Sequence, residues 1–258
     1  MIDDYAAFTY LIKKKLNIDL SLYKEKQMRR RLTSLRDKQG FMDFSSFFKG
    51  MEEDDSLLAE FTDRITINVS EFFRNPQRWE ILRERIIPRL ISERKQLSIW
   101  SAACSTGEEP YSLAITMKHF FPHIPFTIHA TDMDENVLQI AKLGTYKQQA
   151  LKEMPKELIH RYFTFENGIY TIDPALKSNI TYHKHNLLAD TYPKHVDLLV
   201  CRNVLIYFTE EAKQNIYRKF SEALTVGGIL FVGSTEQIFH PDEHHFSLAD
   251  TFFYRKAK

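Results

Sequence analysis

Two adjacent carboxylates in a turn of small residues mark the first place in this chain where chemistry can be read. The stretch Ile99-Trp-Ser-Ala-Ala-Cys-Ser-Thr-Gly-Glu-Glu-Pro-Tyr-Ser112 predicts a buried strand, a tight turn and the start of a helix. An open α/β sheet seats nucleotide-like ligands outside the carboxyl end of such a strand. A phosphate-binding turn presents glycines and free N–H groups, whereas this one offers Gly107 followed at once by Glu108 and Glu109. Carboxylates repel phosphate and suit a cationic ligand that carries hydroxyls. S-adenosylmethionine, with its sulfonium, ammonium and ribose, has that character. First-turn acids also complement the helix dipole, which accounts for either glutamate taken alone. The small side chains of Ser101, Ala102, Ala103, Ser105 and Thr106 tip the balance, because they let a ligand approach the backbone. Glu108 is expected on the ligand and Glu109 at the helix start.

Three further groups of polar residues follow predicted strands. Thr131-Asp-Met-Asp134 ends the second strand, where an acid is the usual partner of ribose hydroxyls. Asp132 is expected on the ligand and Asp134 as the cap of the next helix. His185-Asn-Leu-Leu188 and Cys201-Arg-Asn-Val-Leu-Ile-Tyr-Phe208 end two more strands. Asn186 and Asn203 can donate to and accept from an adenine edge or a methionyl group. A lone asparagine after a strand is ordinarily a turn residue, but polar points at four strand ends converge on one sheet edge. Thr66-Ile-Asn-Val-Ser-Glu-Phe-Phe-Arg74 holds a guanidinium able to clamp a carboxylate. Its composition by itself suits simple packing between two parts of the chain.

The elements that must position these residues fall into two parts. Residues 1–75 carry only helical periodicity, with Phe8, Leu11, Ile12 and Leu16 in one segment and Met28, Leu32 and Leu35 in the next. Asn75-Pro76 predicts a helix start capped by Asn75. From 76 to 258 the pattern alternates between helix and strand, with strands at Leu97–Ala102, Phe126–Thr131, Ile180–His183, Val196–Cys201 and Ile229–Gly233. That alternation predicts an α/β fold with a mostly parallel, Rossmann-like sheet covered on both faces. The stretch from about 144 to 179 breaks it, and Asn167-Gly168 between alternating apolar runs signals a hairpin. An inserted antiparallel subdomain is expected there, and a hairpin-like return to the sheet edge near the carboxyl end.

Bulk properties narrow the function. The 258 residues carry a formal net charge of +1, which removes any global electrostatic case for nucleic acid. Two cysteines, Cys104 and Cys201, make neither a disulfide framework nor a zinc site. Acids rather than cations stand in Met1-Ile-Asp-Asp-Tyr, and no apolar run is long enough to span a bilayer. A cytoplasmic protein without membrane insertion is expected. One segment is lopsided: Lys24, Lys26, Arg29, Arg30, Arg31, Arg36 and Lys38 face only Glu25 and Asp37. With Met28, Leu32 and Leu35 inward, Lys26, Arg29 and Arg30 form an outer basic face suited to an acidic protein partner.

Taken together, Asn68-Val-Ser-Glu-Phe-Phe-Arg74, Trp100–Ser112, Thr131–Asp134 and Cys201–Phe208 resemble the CheR family of bacterial chemotaxis receptor methyltransferases over essentially the whole chain. The resemblance implies a class I S-adenosylmethionine-dependent methyltransferase fold with an all-α amino-terminal domain, and cofactor contacts at Asn68, Ser70, Arg74, Glu108, Asp132, Asn186, Leu187, Arg202 and Asn203. It implies methyl transfer to glutamates on the cytoplasmic helices of methyl-accepting receptors, leaving S-adenosylhomocysteine, with Lys26, Arg29 and Arg30 docking the receptor. Arg74 and Tyr207 are positioning candidates at the reacting atoms. Two rivals stand beside it. A non-catalytic sensor would keep the same cofactor residues. The other is a methyltransferase acting on another substrate, such as a small molecule or nucleic acid; amino-methylating relatives often carry an Asn/Asp-Pro-Pro-aromatic motif where this chain has Arg202-Asn-Val-Leu.

Overall fold

Apolar residues at helical spacing build the amino-terminal part as expected. The computed structural model describes residues 4–66 and 68–257; residues 1–3 of the acid-bearing start, Ile67 of the 66–74 segment and Lys258 lie outside the described residues. Helix α1 (Asp4–Leu16) buries Tyr5, Phe8 and Ile12, and α2 (Glu25–Lys38) buries Met28, Leu32 and Leu35. Asp43 closes a capping box on α3 (Phe44–Glu53), its carboxylate accepting from the Ser46 N–H at 2.7 Å. Helix α4 (Asp55–Thr66) adds Leu57, Phe61 and Ile65. The Phe8 ring lies 4.9–6.1 Å from those of Phe44, Phe47 and Phe61, a packing worth more than its area alone.

The next helical stretch departs from expectation at both its start and its middle. Asn75 precedes α5 (Pro76–Ile81) in a left-handed conformation, and its side chain makes no cap. Its Oδ1 instead accepts from Arg202 Nη2 at 3.0 Å, because a buried guanidinium needs that acceptor more than an exposed helix end does. A widened π turn over Leu82–Ile86 separates α5 from α6 (Ile87–Glu93). Pro88 explains it: its ring would clash with a regularly placed carbonyl four residues back.

The main sheet follows the predicted alternation. Its strands are β1 (Leu97–Ala102), β2 (Phe126–Asp132), β6 (Ile180–Lys184), β7 (Val196–Cys201), β8 (Leu224–Val232), β9 (Phe246–Asp250) and β10 (Phe253–Lys256). Their spatial order is β6-β2-β1-β7-β8-β10-β9. The first five are mutually parallel, while β10 pairs antiparallel to β8 and to β9. Strand β8 begins five residues before the expected Ile229, because the pairing with β7 shifts register after Val196 and breaks the apolar alternation there. Helices α7 (Glu108–Phe120), α8 (Glu135–Leu143) and α11 (Glu210–Ala223) link the strands.

Between α8 and β6 lies a second, three-stranded antiparallel sheet of β3 (Thr145–Tyr146), β4 (Phe163–Glu166) and β5 (Ile169–Ile172), ordered β3-β5-β4. Helices α9 (Lys156–Tyr162) and α10 (Pro174–Lys177) flank the hairpin. Asn167 and Gly168 both take positive φ at its turn, the geometry that matches strand twist.

Side chains alternate across the main sheet into two cores. Ile99, Leu198, Val200 and Phe231 face α5–α7. Trp100, Leu199, Cys201 and Leu230 face α11 and belong to one continuous apolar core with the four amino-terminal helices, joined through Tyr23 against Phe208 at 5.0 Å. Among the described residues no helix is long and apolar enough to cross a membrane. Phe8→Ala is expected to cost about 3–5 kcal/mol and, because that core is continuous, to shift a single thermal transition seen by calorimetry. Separate melting of the helices and the sheet would contradict the continuity.

Candidate functional site

The strand order reverses direction between β1 and β7, and the loops leaving those strands diverge there. A crevice at such a switch point is where open α/β sheets bind ligands. The loop after β1 is held in an unusual shape, with Ala103 at φ 61°, Ser105 at φ 49° and Gly107 at φ 96°. Main-chain bonds explain how it persists: the Cys104 N–H donates to Thr131 O at 2.9 Å and the Ser105 N–H to Asp132 Oδ2 at 2.8 Å. Gly107 is required on two counts, its φ and the fact that a Cβ there would lie 2.8 Å from that of Ala141. Tyr146 of the inserted sheet braces the same loop, its hydroxyl donating to Thr106 O at 2.9 Å.

A cleft runs from this loop in two contiguous halves. The polar half is lined by Asn68, Ser70, Glu71, Arg74, Cys104, Ser105, Glu109, Arg202 and Asn203. The more apolar half is lined by Tyr23, Ile65, Met133, His185, Asn186, Leu187, Tyr207 and Phe208. Thr66, Ala103, Asp132 and Val204 border both. Asp132 sits at the junction. Its second oxygen accepts from the Asp134 N–H at 3.0 Å, and burial pushes its carboxyl up to about 6. Two backbone donors leave a carboxylate with acceptor capacity to spare. Asp134 caps α8 through the Asn136 N–H at 2.9 Å, as expected.

The two glutamates of the turn, both in the first turn of α7, differ in their surroundings. Glu109 opens onto the polar half, accepts from Ser101 Oγ at 2.7 Å, and is pushed up to about 7 by burial, against the opposing charge of Arg202. Glu108 does not line the cleft: it is buried, and its carboxylate accepts from Thr106 Oγ1 at 2.9 and 2.7 Å. The left-handed Gly107 sets the phase of α7 and so decides which of two adjacent acids opens onto the cleft.

The remaining expected residues lie in the cleft walls. Asn68 donates to Asp63 Oδ1 at 3.2 Å and to Asp134 Oδ2 at 3.1 Å, tying α4 to α8, and burial with the nearby Asp134 raises the Asp63 carboxyl. Arg202 is 8% exposed, donates to Arg74 O at 2.8 Å and stacks 4.7 Å over the Phe231 ring. Asn186 is a turn residue at its backbone, its Oδ1 accepting from the Leu188 N–H at 2.9 Å, while its side chain borders the apolar half. Tyr207 lies 5.3 Å beneath the Arg31 guanidinium, linking the basic helix α2 to the cleft.

Three buried polar atoms bordering the cleft have no partner among the described residues: Ser105 Oγ, His185 Nδ1 and Arg202 Nε. Orphaned polar atoms in one cleft call for a ligand with its own donors and acceptors. S-adenosylmethionine fits the set: carboxyls for an ammonium and ribose, guanidinium for a carboxylate, an apolar slot for adenine. Tyr23 and Ile65 lie outside every motif read from the sequence, because the fold, and not their local sequence, brings them to the cleft.

Comparison with known proteins agrees with this fit. The chain matches the family description "CheR methyltransferase, all-alpha domain" over residues 3–66 and "CheR methyltransferase, SAM binding domain" over residues 68–253. It is 44% identical over 255 residues to the "Chemotaxis protein methyltransferase" of Listeria monocytogenes, covering 98% of this chain and 97% of that one. The protein of the same name from Borreliella burgdorferi is 32% identical over 250 residues, covering 92% and 88% respectively.

The raised Glu109 carboxyl gives a signed expectation for the ligand-free protein. Between the ordinary carboxyl range near 4.5 and about 7, the folded state keeps a proton that the unfolded chain has released, so stability falls as pH rises through that window. Glu109→Gln removes the titration. Its stability relative to the unsubstituted protein is expected to climb by up to about 3 kcal/mol from pH 4.5 to 8, read by urea unfolding; a pH-independent difference would refute the burial of that charge.

Proposed function

The chain belongs to the CheR methyltransferase family, with S-adenosylmethionine as its cofactor and methylation in chemotaxis as its function, and on that premise we propose that it esterifies glutamate side chains on the cytoplasmic helices of chemotaxis receptors. The observation that carries this is the run of positive charge from the cleft along α2. Lys26 and Arg30 are exposed and Arg29 is half-buried, stacked 5.0 Å from the Tyr5 ring. The Lys24 N–H donates to Tyr207 O at 2.9 Å, so the basic helix starts at the cleft itself. An acidic receptor helix held on that face would deliver a glutamate to the opening. The receptor helices are cytoplasmic, which places the enzyme in the same compartment.

Bound S-adenosylmethionine supplies an electrophilic methyl group on sulfonium, with a neutral thioether as leaving group. The protein's work is then binding and orientation. Asp132 would offer its remaining lone pairs to ribose hydroxyls, and Glu109 and Asn68 would hold the ammonium. Arg74 and Arg202 would supply guanidinium groups for the methionyl carboxylate. Tyr23, Leu187 and Met133 would hold the adenine. A substrate glutamate, with an ordinary pKa near ~4.3, is ionised at neutral pH and needs no base. Holding it in line with the methyl group is worth at most about 7–11 kcal/mol. Tyr207 and Arg74 stand where such positioning is needed.

Incubation with methyl-labelled cofactor and receptor cytoplasmic fragments should leave base-labile label on receptor glutamates. Tight cofactor binding with no label on any acidic protein would instead mark a sensor. The double reversal Lys26→Glu, Arg30→Glu is expected to cut receptor methylation by about tenfold or more through lost charge complementarity, with calorimetric cofactor affinity unchanged. Equal loss of both would place those residues in the fold and not in docking.

A further inference from the structure

The loop leaving β7 holds Asn203 in the left-handed region, at φ 62°, a conformation asparagine tolerates better than other non-glycine residues. The hydrogen bonds that fix the loop in that shape come from one side chain. Strand β8 exits through Gly233-Ser-Thr-Glu236, and the Glu236 N–H closes that turn on Gly233 O at 2.9 Å. The Glu236 carboxylate, 4% exposed, accepts four main-chain N–H groups. Oε2 takes those of Asn203 at 2.6 Å and Gly233 at 2.8 Å, and Oε1 those of Leu205 at 2.7 Å and Ile206 at 3.3 Å. Burial raises this carboxyl and the four donors hold it back down.

The cradle has no spare room. A Cβ on Gly233 would strike Glu236 Oε2 and sit 2.9 Å from Asn203 N. Beyond the cradle the same loop is tied to the amino-terminal helices, the Lys24 N–H donating to Tyr207 O and the Thr209 N–H to Leu22 O, each at 2.9 Å. Arg202, Asn203 and Val204 line the polar half of the cleft, and Glu236 does not.

We propose that Glu236 is a positioning residue for cofactor binding: touching no ligand itself, its carboxylate gathers the N–H groups of the β7 loop and so sets Arg202, Asn203 and Val204 in the cleft wall. Glutamine at this position keeps the shape but turns an NH2 group onto two of the four donors. Aspartate keeps the charge on a stem one methylene too short. Alanine at Gly233 pushes the native carboxylate out of its cradle.

The test is calorimetric titration of the full chain with S-adenosylhomocysteine, at a temperature where circular dichroism shows each variant folded, together with steady-state methylation. Glu236→Gln is expected to raise Kd about ten- to a hundredfold, the scale of hydrogen bonds to a charged group. Glu236→Asp should fall between it and the unsubstituted protein. Gly233→Ala should match Glu236→Gln, and the double variant should be no worse than either single one. The loss should appear as a raised cofactor KM with a smaller change in kcat. Leu90→Ala, buried in the opposite core, should lower Tm and leave Kd alone. Unchanged Kd in Glu236→Gln and Gly233→Ala, or a rise no larger than Leu90→Ala gives at equal loss of Tm, would overturn the proposal. Where Glu236→Gln does not fold, Gly233→Ala decides on the same criteria.

Discussion

The Asp132 carboxylate is the interaction on which the rest of the site depends. It stands at the carboxyl end of β2 and reaches sideways to the Ser105 N–H of the loop leaving β1, while its other oxygen accepts from Asp134 N–H at the start of α8. Two loops from adjacent strands are thereby fixed on one buried acid. Burial outweighs those backbone hydrogen bonds and pushes the carboxyl up to about 6. Charged hydrogen bonds are the strong ones, and a cationic ligand with hydroxyls supplies what the backbone leaves unmet. The same logic runs through Glu109 and Arg202, whose buried charges lie in one wall and oppose each other only through space.

The amino-terminal helices complete the cleft and do not merely neighbour it. Tyr23, Ile65 and Thr66 form part of its lining, and the Asn68 amide spans Asp63 and Asp134. The cleft and the basic face of α2 therefore share a frame: that helix starts one residue after the backbone tie to Tyr207. On the far side the inserted sheet contributes Tyr146 to the β1 loop. Strand β2 and the inserted sheet thus both fix the loop 103–107, and the amino-terminal helices line the cleft that it borders.

How much of this was legible in the sequence depended on whether the signal was local. Strands β1 and β7 matched their expected limits because short, apolar-rich runs bounded by polar residues mark strands buried on both faces. The hairpin at Asn167-Gly168 was legible because its turn needs two positive φ angles. The start of β8 was hidden where the register shift interrupts the alternation. Residue type alone does not decide which of Glu108 and Glu109 opens onto the cleft, since the difference is a matter of helix phase set by Gly107. Asn75 looked like a cap until a guanidinium 127 positions away in sequence claimed it. Tyr23 and Glu236 gave no signal, because their partners at 208 and at 203–206 are neighbours only in the folded chain. The pocket's polar strand-end residues were readable; the residues that hold them in place were not.

The central claim, that the β1–β7 crevice binds S-adenosylmethionine through the acid at the end of β2, is tested most directly by titrating Asp132→Ala with S-adenosylhomocysteine in a calorimeter. Loss of two loop anchors and the ribose acceptor is expected to weaken binding by about a hundredfold or more, while circular dichroism shows the sheet and helices intact. Native affinity in that variant would contradict the account.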